Sequence, residues 1–373
     1  MRYPRLLTVR NVMVVVTALV LLLGALAVFT ASSYQSVLES ASGSSTRYLV
    51  QHLVKMALGM ILAIVVYVLP QETLKRLAPF LYVVSVMMLA ALIALKGSRW
   101  VPEIKGSARW LVLPGGLRVM PSELARISYV LLAAALVSGG TVRARTGPGV
   151  TVLAVLAVLP AALTAAQPDF AGGMYMMLVM VVMLYLAEAR LKDMAVLLLV
   201  LLALATVVVF SSGYRRQRVI SWFSPGEETE TSNYQPEQAC IALGSGGLMG
   251  RGIGRGRQQR GFLPEAFSDY ILAVVGEETG LMGVSFLLIL LGIMIFCGWL
   301  IADGADHLFG FLLAGGLTAS MALGMFMHVG VVTRMLPSTG MPLPLVSWGG
   351  TNMLVTLGSL GMVARVARES VGR

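Results

Sequence analysis

About ten apolar runs, each close to 20 residues long and separated by polar loops, divide this chain. They lie near 12–31, 49–69, 77–95, 122–138, 149–166, 170–188, 193–211, 280–302, 308–329 and 352–367, and each has the length an α-helix needs to cross a bilayer. Inside hydrocarbon every backbone N–H and C=O must be paired by the protein itself, which restricts spanning segments to helices or a closed barrel. Runs of this length select helices. The predicted fold is an all-α polytopic membrane protein of about ten transmembrane helices. It forms one integral domain over 1–373, with a large loop at about 212–279 between the seventh and eighth helices. Charged residues make up only 12% of the chain and hydrophobic ones 57%, against about 25% charged in an ordinary soluble domain, so a string of soluble domains is excluded.

An even number of spans places both termini on one side. Arg2, Arg5 and Arg10 precede the first run, and Lys75, Arg76, Arg143, Arg145, Arg190, Lys192, Arg365 and Arg368 occupy alternate loops, which makes that side cytoplasmic. The first run is long enough to remain as a span and lacks a convincing cleavage site, so no cleaved leader is expected. The loops left outside, 96–121 and 212–265, are nevertheless basic, an anomaly that wants an explanation. Because the formal net charge of +10 is spread over short loops, it points to anionic lipid head groups or phosphorylated lipids as partners, and not to nucleic acid. Cys240 and Cys297 offer no pairing framework, and no strong internal repeat marks the chain as a secondary transporter.

Ionisable residues in or beside membrane helices are costly to hold and are functional suspects. Under this topology His52, Lys55, Glu123, Arg126, Asp169, Glu277, Glu278 and Arg334 gather toward the outer side, which suggests a polar site opening outward. Glu123 and Arg126 are three residues apart on one helix face and can neutralise one another. Snorkelling and helix-end pairing are the plain alternative for each of them.

The long loop runs from Arg215, Arg216 and Arg218 through the acidic GEETE at 226–230 into ALGSGGLMGRGIGRGRQQR, ending at Arg260. No strand precedes Gly250, Gly252 and Gly254 and no Lys-Ser/Thr pair follows, so neither a dinucleotide loop nor a P-loop is present. Glycines interleaved with Arg251, Arg255 and Arg257 would let amides and guanidinium groups approach a phosphate, as on an anionic lipid head group; a flexible solvated loop is the alternative. Leu263-Pro264-Glu265 reads as a helix start, with proline in the first turn and an acid at the positive end. Asp269 then falls one turn into a helix, and the apolar piece Tyr270–Gly276 is too short to span by itself, as in a re-entrant or interfacial segment. An aspartate at that boundary suits general-base work, or it caps a helix.

Several segments resemble the SEDS family of bacterial membrane proteins, the FtsW, RodA and SpoVE group. They are GSARWL at 106–111, PSELAR at 121–126, QPDFAGG at 167–173, ALGSGGLMGRGIGRG at 242–256, FLPEAFSDYILAVVGEETG at 262–280 and PSTGMPLPLVSWGGTN at 337–352. They occur in the family's order, so the resemblance covers nearly the whole chain. The chain departs from the usual pattern at Met120, Arg126, Phe267, Ala171-Gly172 and Trp348. Phe267 replaces a histidine, so no histidine beside Asp269 can act in acid–base or metal chemistry.

The resemblance implies a peptidoglycan glycosyltransferase that polymerises lipid II on the outer face of the cytoplasmic membrane, during cell division or elongation, with Asp269 matching the catalytic aspartate. Lys55, Arg109, Glu123, Arg126, Asp169, Arg251, Arg255, Glu265, Glu278 and Ser347 become candidates for substrate binding. Positive charge for a departing pyrophosphate could come from these basic residues or from a divalent cation, Mg or Mn; no other cofactor is implied. A class B penicillin-binding transpeptidase is the implied partner. QACIALGSGG and the GEE after the aspartate lean toward the division enzyme over the elongation enzyme. Two rival readings are a transporter that flips lipid II unaltered and a non-catalytic scaffold for the transpeptidase.

Overall fold

In a computed structural model the described residues are 3–39, 44–103, 107–113, 118–210 and 234–370, with positions 213, 216 and 222. Arg215, Arg218, the GEETE run and Gly106 of the sequence analysis lie outside them. The helices are α1 (Tyr3–Glu39), α2 (Arg47–Val68), α3 (Gln71–Ala94), α4 (Pro121–Ser138), α5 (Gly147–Ala166), α6 (Phe170–Leu186), α7 (Leu191–Phe210), α8 (Tyr234–Gly246), α9 (Ile271–Asp303), α10 (Leu308–Val332) and α11 (Gly350–Glu369). Every apolar run of the sequence coincides with one of them. Among the described residues seven are long and apolar enough to cross a membrane, and α6 is a shorter apolar helix.

The bundle is built the way a bilayer demands. Large apolar side chains such as Leu22, Ile64, Met87 and Phe296 face outward, while Glu123, Asp169, Glu277 and His328 are buried; a water-soluble domain would not expose such apolar surface. Helices approach closely at small residues. A Cβ on Gly361 would meet the Ala63 carbonyl oxygen at 2.4 Å, which is how α11 lies against α2. Pro79 and Pro160 sit inside α3 and α5; the Leu156 carbonyl that Pro160 leaves free accepts from the Tyr82 hydroxyl of α3 at 2.8 Å, as a bundle in lipid requires.

Three features depart from the expectations. The loop 96–121 contains a two-stranded antiparallel hairpin, β1 (Leu111–Val112) and β2 (Arg118–Val119). The long loop contains α8. Leu263-Pro264-Glu265 does not start a helix: residues 261–270 are turns and α9 begins at Ile271. Glu265 has a φ of 55°, a left-handed conformation that no helical first turn contains. The short apolar piece after Asp269 is instead the opening of α9, which breaks at Gly280 (φ 68°, ψ −168°). A side chain there is excluded, since a Cβ would lie 2.4 Å from the Gly250 amide nitrogen.

Candidate active site

Asp269 lies half-buried in the turn ahead of α9. Its amide donates to the Glu265 carbonyl at 3.0 Å, and the Ser268 hydroxyl lies 3.3 Å from Glu265 Oε2. On the other side comes Gly340, so near that a Cβ would sit 3.0 Å from Asp269 Oδ2; its φ of 67° is one that glycine adopts freely. Phe267 is buried between Tyr48 (ring centroids 4.7 Å apart) and Trp348 (5.5 Å). The Trp348 amide donates to the Phe267 carbonyl at 2.9 Å. Lys55 Nζ lies 3.7 Å from the centre of the Trp348 ring, a cation–π contact, and its stem packs near Gly350. The site thus assembles Lys55 from α2, Glu265 and Asp269 from the turn, and the 337–349 loop from between α10 and α11.

A second polar group adjoins the same loop. Arg126 Nη2 donates to Glu123 Oε2 at 2.6 Å, and Asn352 Nδ2 donates to the same oxygen at 3.2 Å. The Arg126 guanidinium lies 4.3 Å from the centre of the Tyr175 ring, and the Tyr175 hydroxyl donates to the Ser320 carbonyl. Arg126, Tyr175, Ser320, Pro344 and Asn352 help line a small polar cavity. The pair is buried and its charges oppose one another, as charges held in a bundle must, with Arg126 Nε left without a hydrogen-bond partner among the described residues.

Arg109 and Asp169 form a third group between α5 and α6. Arg109 Nη2 donates to the Pro168 carbonyl at 2.6 Å and Nη1 lies 3.6 Å from Asp169 Oδ1. Asp169 caps α6 by accepting from the Gly172 amide at 3.1 Å. Burial pushes its carboxyl above the usual range, and Arg109 pulls it back.

Around the glycine loop the amides are already taken. Gly254 N–H donates to Glu278 Oε1 at 2.9 Å, and the amides of Arg257 and Gln258 donate to Glu277 Oε1 and Oε2 at 2.8 and 3.0 Å. The amides of Arg251 and Gly252 donate to the carbonyls of Glu277 and Glu278. These two carboxylates therefore hold the loop in place, with Arg251, Arg255, Arg257 and Arg260 exposed and Arg251 also donating from Nε to the Ser245 carbonyl at 3.2 Å. Ser347, buried, accepts from the Leu343 amide at 2.8 Å and closes a turn of the 337–349 loop. Arg334 lies by Glu237 of α8.

Of the predicted residues, Glu265 and Asp269 share one turn, and Lys55 is linked to that turn through Trp348, which packs on Phe267. Glu123 and Arg126 join them through the stretch 337–352, to which Met120 is also tied by a 2.8 Å bond from its amide to the Thr351 hydroxyl. The sequence reading passed over Gly340, Tyr48 and Asn352. Gly340 carried a signal, a glycine between proline-rich turns, but nothing in the sequence says which segment it faces. Among the described residues no three His, Cys, Asp or Glu side chains converge in a set that could hold a metal ion.

The family described as "Cell cycle protein", FTSW_RODA_SPOVE, matches residues 10–371. The "Peptidoglycan glycosyltransferase MrdB" of Escherichia coli K12 is 33% identical over 351 residues, covering 93% of this chain and 92% of that protein. The "Probable peptidoglycan glycosyltransferase FtsW" of Geobacter metallireducens is 33% identical over 269 residues, 72% of each. Among solved structures, one described as "Structural coordination of polymerization and crosslinking by a peptidoglycan synthase complex" superposes with a TM-score of 0.77 at 25% identity over 97% of this chain and 98% of that one. The crystal structure of the Rod shape determining protein RodA of Thermus thermophilus gives a TM-score of 0.70 at 23% identity over 97% of each chain, a likeness of fold. With its bundle of apolar helices and a match over nearly its full length, this chain is a multi-pass membrane protein that belongs to the FtsW/RodA/SpoVE family.

Proposed function

We propose that this protein is an inverting peptidoglycan glycosyltransferase that extends β-1,4 glycan strands from lipid II at the outer face of the membrane. The observation that carries the reading is the placement of Asp269: half-buried at the mouth of a membrane helix, walled by Gly340 and two residues from the aromatic cluster that holds Lys55. Relatives named peptidoglycan glycosyltransferases support the reaction class.

In this mechanism the Asp269 carboxylate takes the proton of the acceptor's GlcNAc 4-hydroxyl. The freed oxygen pair attacks the anomeric carbon of the donor's MurNAc from the face opposite the leaving group. The bond from that carbon to the pyrophosphate oxygen breaks, its electron pair departs with undecaprenyl pyrophosphate, and the centre inverts. Lys55 and Arg109, with Arg251 and Arg255 of the glycine loop, offer positive charge where the leaving pyrophosphate gains negative charge. That role accounts for the basic character of loops assigned to the outer side. A class B penicillin-binding transpeptidase is the proposed partner, supported by the likeness to a synthase complex that couples polymerisation with crosslinking.

The test supplies labelled lipid II to the purified chain with its transpeptidase, in parallel with an Asp269→Asn form. Glycan chains from the first and none from the second are expected. Chains from both would remove Asp269 from the chemistry, and chains from neither would favour transport or scaffolding.

A further inference from the structure

Below the 337–349 loop, in the fully buried part of α10, His328 Nδ1 lies 2.8 Å from the Met341 carbonyl oxygen. A carbonyl only accepts, so in this bond the ring of His328 donates from Nδ1. Its Nε2 is buried with no hydrogen-bond partner among the described residues, a cost the fold carries for the sake of the other nitrogen. Met341 follows Gly340, the residue whose Cα faces Asp269 Oδ2. The far end of the same loop is fixed by the Trp348 amide on the Phe267 carbonyl. The wall beside Asp269 is therefore tied down at two points, one of them a side chain that touches neither the aspartate nor the open face of the site.

We propose that His328 is a positioning residue for the Asp269 site: by donating to the Met341 carbonyl it holds the Gly340 turn against the carboxylate, fixing where an acceptor hydroxyl can sit. The inference rests on the glycosyltransferase reading for its effect on rate, but not for its effect on the loop. His328 acts through the Gly340 turn, so it governs the geometry of proton transfer more than affinity for the lipid.

The substitution series separates hydrogen bonding from bulk. The amide nitrogen of asparagine reaches about the position of Nδ1, that of glutamine the position of Nε2, and leucine offers no donor. In the full chain with its transpeptidase, His328→Leu should lower kcat for lipid II polymerisation by about 10- to 100-fold, the scale of a small misplacement at a reacting centre, with KM changed by less than about twofold. His328→Asn should recover most of the rate and His328→Gln should not. Amide hydrogen exchange across 338–342 should be faster in the Leu and Gln forms than in the wild-type and Asn forms. A Leu form with wild-type kcat, or an Asn form as impaired as the Gln form, overturns the proposal. If no form of the protein makes glycan, the function proposed above fails by itself; exchange then decides the present proposal, unchanged rates in the Gln and Leu forms overturning it and faster ones sustaining it.

Discussion

Trp348 and Phe267 are joined twice. The Trp348 amide donates to the Phe267 carbonyl at 2.9 Å, and the two rings meet edge to face at 5.5 Å with their planes 77° apart. This double joint links the loop between α10 and α11 to the turn that carries Asp269, and Tyr48 of α2 packs against both rings. An aromatic edge-to-face pair contributes about 0.5–1.5 kcal/mol beyond its area burial, and a double-mutant cycle with Phe267→Leu and Trp348→Leu should return a coupling of that size. The single Phe267→Ala form should lose about 3–5 kcal/mol, read as a fall in the unfolding midpoint in detergent. Additive single effects would mean that the joint is carried by the backbone bond alone.

Gly340→Ala tests the wall directly. Its Cβ would press on Asp269 Oδ2 at 3.0 Å and would force a side chain onto a φ of 67°. The strain is about 1 kcal/mol or more, modest for stability, but the carboxylate must shift. Glycan synthesis should fall by at least about tenfold while the protein still purifies as a folded complex. Full activity would place the acceptor on another side of the aspartate.

Glu277 gives a different outcome. Its carboxylate accepts the amides of Arg257 and Gln258, and Arg251 lies 3.7 Å away. Glu277→Gln keeps the shape but removes the charge and one acceptor oxygen. Each charge-assisted bond is worth about 1.5–3 kcal/mol, so the glycine loop should open and trypsin should cut within 251–260 faster than in the wild type. Equal cutting rates would show that the bonds from Gly254 to Glu278 suffice to hold the loop.

Asp169 predicts a pH dependence. Burial raises its carboxyl pKa in the folded state, with Arg109 opposing. The folded form then holds its proton more tightly than the unfolded form, so this group's contribution to stability is greatest below the unfolded value of about 3.9 and is lost as pH rises through the raised folded value. Unfolding midpoints measured across that window should decline with pH in the wild type. The decline should be smaller in Asp169→Asn, which has no proton to lose. Identical slopes would assign the effect to other carboxylates.

The positions of the membrane helices were legible in the residues, because a bilayer imposes one length and one polarity on every segment that crosses it. The runs 122–138, 149–166 and 308–329 coincide with α4, α5 and α10 to within a few residues. The pairing of Glu123 with Arg126 was equally legible, since three residues along a helix return to the same face. Asp269 was marked by chemistry, an acid beside oil, and by the motif around it.

What the tertiary structure decided is which acids fasten the glycine loop and which one faces the 337–349 loop. Glu277, Glu278 and Asp269 look alike as acids near one helix start. Only the fold shows the first two taken up by amides of the glycine loop and the third facing Gly340, because their partners come from segments distant in the chain. The same holds for the turn at 261–270: its proline and glutamate favour a helix locally, and the packing of Phe267 against Tyr48 and Trp348 overrides that preference. Local sequence specifies what a segment can form by itself. Contacts such as Asn352 with Glu123, 229 residues apart, exist only once the helices have closed around them.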